Sequence, residues 1–318
     1  MRRVLPALLL ALLLVPATAR AGGVRSAIFF YPWYSNAAHD GAFAHWQQNG
    51  HLPPFDVASA FFPARGAYSS ADPRVLRAQM RDIASADVDE VVSSWWGWGS
   101  PEDQRLPEVV SAARRAHLKV AVQLEPYQGR SIASIGTDLE HLRSLGIRDV
   151  YVYRADDFAA EQWATLDFRL SGMRVFGQTN RVGFAARAGF MGFYTYDILL
   201  YGGDKFWRFC AQAHARGLLC APSVGPGYEA YRVNGDPRIK PRDAGATYDS
   251  MWRAAIGADA DIVTITSYNE WGEGTQIEPA GHGSTYKSYD GAYGLHGRRA
   301  QRAYLRRTAY WAAQLAAR

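Results

Sequence analysis

Eight apolar runs punctuate the chain: SAIFFYPWY (26–34), DEVVSSWWG (89–97), LKVAVQLEPY (118–127), DVYVYRADD (149–157), MRVFGQTN (173–180), GFMGFYTYD (189–197), LLCAPSVGPG (218–227) and DIVTITSYNE (261–270). They are rich in β-branched and aromatic residues. Several are nearly continuous in apolar positions, as strands covered on both faces should be. Segments with helical periodicity separate them. ADPRVLRAQMRDIASA opens with Asp72 as N-cap and Pro73 at the first helical position. LPEVVSAARRAH, GTDLEHLRSLG, AEQWATLDFRL, DKFWRFCAQAHARG and TYDSMWRAAIG follow, and RRAQRAYLRRTAYWAAQLAAR closes the chain. RVGFAARA, after residue 180, is too short for a firm helical assignment.

Strand and helix alternating eight times predict an α/β protein of one domain, a single (β/α)8 barrel. The competing architecture is an open doubly wound sheet. Against it, the first strand ends in YPWY, where a nucleotide-binding sheet would carry a glycine-rich phosphate loop. Longer loops are expected at 35–71, 228–245 and 271–296.

Residues 1–21 read as a cleavable export signal: MRR is a basic start, VLPALLLALLLVPA an apolar stretch, and ATA and ARA offer small-x-small cleavage sites. The expected mature domain is 22–318, secreted or periplasmic, with no stable membrane insertion once the signal is removed. The formal net charge of the whole chain is +5; removing Arg2, Arg3 and Arg20 with the leader leaves +2. No basic stripe remains to suggest nucleic acid. Cys210 and Cys220, the chain's two cysteines, either pair or serve as two small buried apolar residues.

In a barrel of this type, chemistry gathers at the C-terminal ends of the strands. Tyr31, Trp33 and Tyr34 end the first run; Trp95, Trp96 and the loop residue Trp98 end the second. Glu125, Pro126 and Tyr127 end the third, and Tyr194, Tyr196 and Asp197 the sixth. The seventh ends in VGPGY, and the eighth in Asn269, Glu270, Trp271 and Glu273. Trp95 and Trp96 must point to opposite faces, one to the core and one to the barrel mouth. Three carboxylates among aromatics suit a carbohydrate site: flat apolar faces meet C–H patches, and acids meet hydroxyls and move protons. Taken singly, Glu125 could be an ion-pair partner and Tyr127 a rim residue. Glu270 and Glu273 together, after an apolar strand and before Gly274, are the strongest catalytic candidates. His39, His45 and His51 share a loop at intervals that fit no common metal motif, so neither metal nor cofactor is expected.

At these residues the sequence resembles glycoside hydrolase family 99, the endo-α-mannosidases. FFYPWYSN, His45–Trp46, FFPARGAYSSADP, SWWG, LEPYQGR, GFYTYD, PSVGPGY and ITSYNEWGEGTQIEPA recur in the family's order over most of the mature chain. The resemblance implies a (β/α)8 barrel that cuts internal α-mannosidic linkages with retention, through a 1,2-anhydro sugar. It implies that Glu270 is the base that deprotonates the 2-hydroxyl and Glu273 the general acid. Glu125 would accept hydrogen bonds from sugar hydroxyls. Tyr31, Tyr34, Trp46, Tyr127 and Tyr194 would line the pocket with Asn269, and Trp96 would stack on a sugar ring.

Three departures bear on specificity. Gly272 stands where the family carries His, as in NEWHEG. A segment like HPAFYR, expected between Arg130 and Val150, is absent. EAYRVNGDPRIKPRD, after GPGY, follows the family's IRPWN pattern only loosely. The expected partner is an oligosaccharide or polysaccharide and the expected state a monomer. Two alternatives stay open: a hydrolase of the same mechanism on another α-linked glycan, and a non-catalytic carbohydrate-binding barrel.

Overall fold

Each of the eight apolar runs forms a barrel strand. In the computed structural model, which describes residues 25–281 and 285–318, these are β1 (Ser26–Phe30), β2 (Glu90–Trp95), β3 (Lys119–Leu124), β4 (Asp149–Val152), β5 (Arg174–Gln178) and β6 (Gly192–Tyr194). The seventh run is split into β7 (Leu219–Ala221) and β8 (Ser223–Val224). A separate antiparallel hairpin joins β9 (Tyr228–Glu229) to β10 (Ile239–Lys240), and the eighth run supplies β11 (Val263–Ile265). The expected leader, 1–21, lies outside the described residues.

The sheet order is β7-β6-β5-β4-β3-β2-β1-β11-β8, and every pairing in it is parallel. Pro222 separates β7 from β8 and has no N–H to give to a ladder. Before it, Cys220 pairs with Phe193 of β6; after it, Ser223 pairs with Thr264 of β11. The seventh run therefore joins both edges, and the sheet closes into a (β/α)8 barrel.

The helices cover the outside. Pro73–Ser85 begins as expected, with the Asp72 carboxylate accepting the Arg74 N–H at 2.8 Å. Pro101–Arg115 starts earlier than its apolar periodicity suggested, because Ser100 caps it by accepting the Asp103 N–H. Ile132–Ser144, Phe206–His214, Ala246–Gly257 and Ala303–Ala316 lie where the pattern put them. The AEQWATLDFRL segment breaks into Ala160–Ala164 and Phe168–Ser171, and the doubtful RVGFAARA does form a helix, Val182–Arg187. Cys210, on the helix before β7, is disulfide-bonded to Cys220 on that strand. Among the described residues, no helix is long and apolar enough to cross a membrane.

Inside the barrel, Phe29, Tyr151, Phe176 and Tyr194 form an aromatic plug, with Tyr151 stacked on Phe176 at 4.8 Å and Phe29 5.4 Å from Tyr194. The plug is the floor beneath the mouth formed by the C-terminal strand ends.

Candidate active site

The eighth run carries most of the chemistry, and it is fastened to the first. The Asn269 carboxamide accepts the Tyr31 N–H at 2.8 Å and donates to the Tyr31 carbonyl at 2.9 Å. The Tyr34 hydroxyl donates to the Asn269 carbonyl at 3.0 Å and accepts the Trp271 N–H at 3.1 Å. Tyr34 stacks on Trp46 at 4.1 Å, and the Trp46 indole donates to the Tyr68 carbonyl. The Ser267 hydroxyl accepts the Glu270 N–H at 2.8 Å. With both flanks fixed, the Glu270 side chain can point into the mouth.

A cavity of about 160 Å³ opens there, lined by Tyr31, Trp33, Trp96, Gln123, Glu125, Pro126, Tyr153, Tyr196, Glu270 and Glu273. A second cavity of similar volume adjoins it, lined by Asp197, Tyr228, Arg238, Thr266 and Thr275 among others, and sharing Tyr153, Tyr196 and Glu273 with the first. Glu273 thus stands in the wall between two small chambers. All three carboxyl groups noted in the sequence line the first chamber, and no lysine or arginine does.

Five of the expected substrate contacts line neither chamber. Tyr34, Trp46 and Asn269 are buried behind the first: Tyr34 bonds the turn at Asn269 and Trp271, Asn269 bonds Tyr31, and Trp46 bonds the Tyr68 carbonyl. Tyr194 is fully buried in the barrel plug, because its inward position lies one layer below Tyr196. Tyr127 sits at the rim, its hydroxyl bonded to Ser134 and Asp138 and its ring over Gly97. The adjacent tryptophans divide as expected: Trp95 is buried and donates to Asp103, while Trp96 is 37% exposed and lines the mouth.

Gln123 and Tyr153 were missed by sequence reasoning. Each lies two residues along a strand from another inward group, Glu125 and Tyr151 respectively, so period-2 alternation was the signal that would have found them. Gln123 is 2% exposed and its Oε1 has no hydrogen-bond partner among the described residues. Tyr196 has φ +54, an uncommon backbone state for an aromatic residue. Ser223 Oγ accepts its N–H at 2.7 Å, Thr266 Oγ1 donates to its carbonyl, and its hydroxyl bonds that of Tyr31. The resulting hydroxyl pair feels the charge of both Glu270 and Glu273.

The mouth favours protonated carboxyls. Burial raises Glu125 to about 8, against the pull of the Ser94 hydroxyl, which donates to it at 2.8 Å. Burial, then Asp197 and Asp236, raise Glu273 to about 7. Glu270 is pushed well up by burial and by the charges of Glu273 and Glu125, while the N–H groups of Glu273 and Gly272 pull it down. If Glu125 and Glu273 hold protons, their push on Glu270 vanishes, and the two N–H groups then work against burial alone in supporting its charge. Such a trio can present one carboxylate and one carboxylic acid side by side near neutral pH.

The three loop histidines go to different partners. His39 bonds Asp40, His51 bonds Asp56, and His45 stacks on Trp33 at 4.5 Å with burial pushing its imidazole down to about 4.

Residues 24–157 and 163–317 match the sequence model of Glycosyl hydrolase family 99. A "Glycoprotein endo-alpha-1,2-mannosidase-like protein" of Danio rerio is 32% identical over 314 residues, spanning 80% of this chain and 70% of that one. A "Glycoprotein endo-alpha-1,2-mannosidase" of Xenopus laevis is 31% identical over 316 residues, spanning 80% and 69%. The structure of the GH99 endo-alpha-mannosidase from Bacteroides thetaiotaomicron superposes with a TM-score of 0.81 at 27% identity, covering 92% of this chain and 97% of that one.

Proposed function

The chain belongs to glycosyl hydrolase family 99, and from that premise we propose that it cuts internal α-1,2-mannosidic linkages of mannan or N-glycan-like oligosaccharides with retention of configuration. It is a glycoside hydrolase of the endo-α-mannosidase family; linkage, intermediate and location form the proposal. The observation that carries it is the placement of Glu273 between two chambers, with Glu270 in the first. A glycosidic oxygen at that wall would have its glycone beside Glu270 and its leaving group beside Asp197, Tyr228 and Arg238.

In an α-mannoside the 2-hydroxyl lies opposite the leaving group. Glu270 takes its proton, O2 attacks the anomeric carbon from the back face, and the C1–O bond breaks as Glu273 gives its proton to the leaving oxygen. The 1,2-anhydro sugar is then opened at C1 by water. Glu273 takes the water's proton and Glu270 returns its own to O2, restoring both groups. Neither glutamate forms an ester, unlike the second carboxylate of the usual retaining pair. Tyr31 and Tyr196 lie beside both acids and can hydrogen-bond the reacting hydroxyl, while Trp33 and Trp96 offer faces to the sugar. The names of the relatives support the α-1,2 linkage. The leader sequence and the Cys210–Cys220 bond support an exported enzyme, which we take to act as a monomer.

One observation favours a different glycan for the same mechanism. A Cβ at Gly272 would lie 3.2 Å from Val233 and 3.2 Å from Glu270 Oε1, so the Tyr231–Asn234 helix closes down on the turn where the family carries a His. Product analysis separates the two readings. The purified mature chain and its Glu273→Gln variant are each mixed with yeast α-mannan and α-1,2-linked mannotetraose. Disaccharide-sized products from the parent alone are expected. Absence of products from the parent on both removes α-mannan as substrate, and turnover of another α-glycan would establish the alternative.

A further inference from the structure

The hairpin β9–β10 is not part of the barrel sheet, yet the chain around it holds the backbone on both sides of Glu273. The Glu229 N–H donates to the Glu273 carbonyl at 2.8 Å. Two residues beyond β10, Arg242 donates from Nη2 to the carbonyls of Gly274 at 2.9 Å and Gln276 at 2.7 Å. Its guanidinium carbon lies 4.6 Å from the ring centroid of Phe61 and 4.7 Å from those of Tyr289 and Tyr304.

The contacts are tight. A Cβ on Gly274, which has φ +65, would lie 2.9 Å from the Glu229 carbonyl, and one on Gly227 would lie 2.7 Å from Arg242 Cγ. Among the described residues, Arg242 Nε and Nη1 are buried without a hydrogen-bond partner, and no carboxylate pairs with this arginine. A cation buried on ring faces forgoes its hydration and is held by the π-systems and the two carbonyls. It touches neither chamber's chemistry, and it lies in the stretch that departs from the family's IRPWN pattern.

Glu270 and Glu273 are therefore supported from opposite sides. Tyr34, Asn269 and Ser267 fix the turn before and at Glu270. Glu229 and Arg242 fix the carbonyls at and after Glu273. We propose that Arg242 is a positioning residue for Glu273: its guanidinium, seated on three aromatic rings, locks the 274–276 backbone so that the Glu273 carboxyl faces the leaving oxygen in the wall between the chambers. The proposal rests on the reading of Glu273 as general acid.

The test compares leaving groups. A sugar leaving group needs the acid; fluoride does not. For Arg242→Met, kcat/KM, which reports the first bond-breaking step and not the later attack of water, should fall about 10- to 100-fold on α-1,2-linked mannotetraose and change less than about threefold on the α-fluoride of a mannose disaccharide. Glu273→Gln should show the same selectivity with a larger loss. Equal losses on both substrates for Arg242→Met, or no loss on either, overturn the proposal if Glu273→Gln remains selective. Equal losses for Glu273→Gln overturn the acid assignment, and this proposal with it. A measurement without substrate keeps the question decidable: the ¹³C titration of the Glu273 carboxyl, assigned by its absence in Glu273→Gln, should move by about half a pH unit or more in Arg242→Met. An unmoved midpoint counts against the proposal. Should Arg242→Met not fold, Arg242→Lys is read in the same way. It keeps the charge over the rings but not the planar fork that reaches two carbonyls.

Discussion

Glu270 and Glu278 lie on one stretch of chain, both buried, and their surroundings are opposite. Glu278 is wholly enclosed and accepts four hydrogen bonds: from Arg65 at 3.0 Å, Gln79 at 3.0 Å, Tyr68 at 2.8 Å and the Trp271 indole at 2.9 Å. Arg65 also bonds Asp82 at 2.6 Å, so the charge continues into a network beneath the loop. Glu270 faces a chamber that it shares with two other carboxyls and, among the described residues, no lysine or arginine; burial and those carboxyls oppose its charge, and the N–H groups of Glu273 and Gly272 favour it. A satisfied buried carboxylate is a structural post. A crowded and unsatisfied one stores free energy that substrate binding and proton transfer can use.

The contrast breaks most visibly if the two glutamates exchange phenotypes on substitution. Glu270→Gln should lower turnover about 10²- to 10⁴-fold with the melting temperature held or raised. Glu278→Gln should do the reverse in emphasis. It should lower the melting temperature by about 5–10 °C, because several kcal/mol of hydrogen-bonded ion pairing is lost around Arg65. Calorimetry beside single-substrate kinetics reads both. A stability loss in Glu270→Gln as large as that in Glu278→Gln would erase the distinction.

Glu125 sharpens the contrast on the stability axis. Burial lifts its carboxyl from the usual 4.5 to about 8, so between those values the folded state keeps a proton that the unfolded chain releases. Stability from this group is therefore complete below about 4.5 and is lost as pH rises through about 8. Glu125→Gln removes that loss and should raise the melting temperature at pH 8 by roughly 2–5 °C, with little change at pH 4. Thermal melts at the two pH values decide it.

The smallest expected effect concerns the acid. In the proposed mechanism Glu273, raised to about 7, is protonated in the first step, so kcat/KM should fall as pH rises above about 7. Asp197 is the strongest charge behind that elevation, second to burial itself. Asp197→Asn should therefore move this limb to lower pH, by about half a unit. A limb that stays put or moves up would mean that Asp197 does not act on Glu273.

Much of the site was legible because strand-end position and residue type coincide in barrels. Tyr31, Trp96, Glu125, Glu270 and Glu273 meet in one chamber as the strand ends suggested. Tyr34, Trp46 and Asn269 were marked for the same chamber and stand behind it, since a motif shows that a residue belongs to the site without showing on which side of the wall it stands. Tyr194 and Tyr196 show the limit within a single strand: both point inward, and only the depth of the layer separates plug from site. Arg242 gave no signal, because its partners are carbonyls and rings from Phe61, Gly274, Gln276, Tyr289 and Tyr304, brought together from two long loops and the last helix.

The order of elements, the barrel, the closing of its sheet around eight runs and the two catalytic candidates were determined by the sequence alone, because periodicity and turn chemistry are local properties of the chain. The tertiary structure decided whether Cys210 and Cys220 pair, which aromatics line the chamber, and how Glu270 and Glu278 differ. Those outcomes depend on burial and on charges contributed from distant strands, and neither distance nor dielectric environment is written in a one-dimensional pattern.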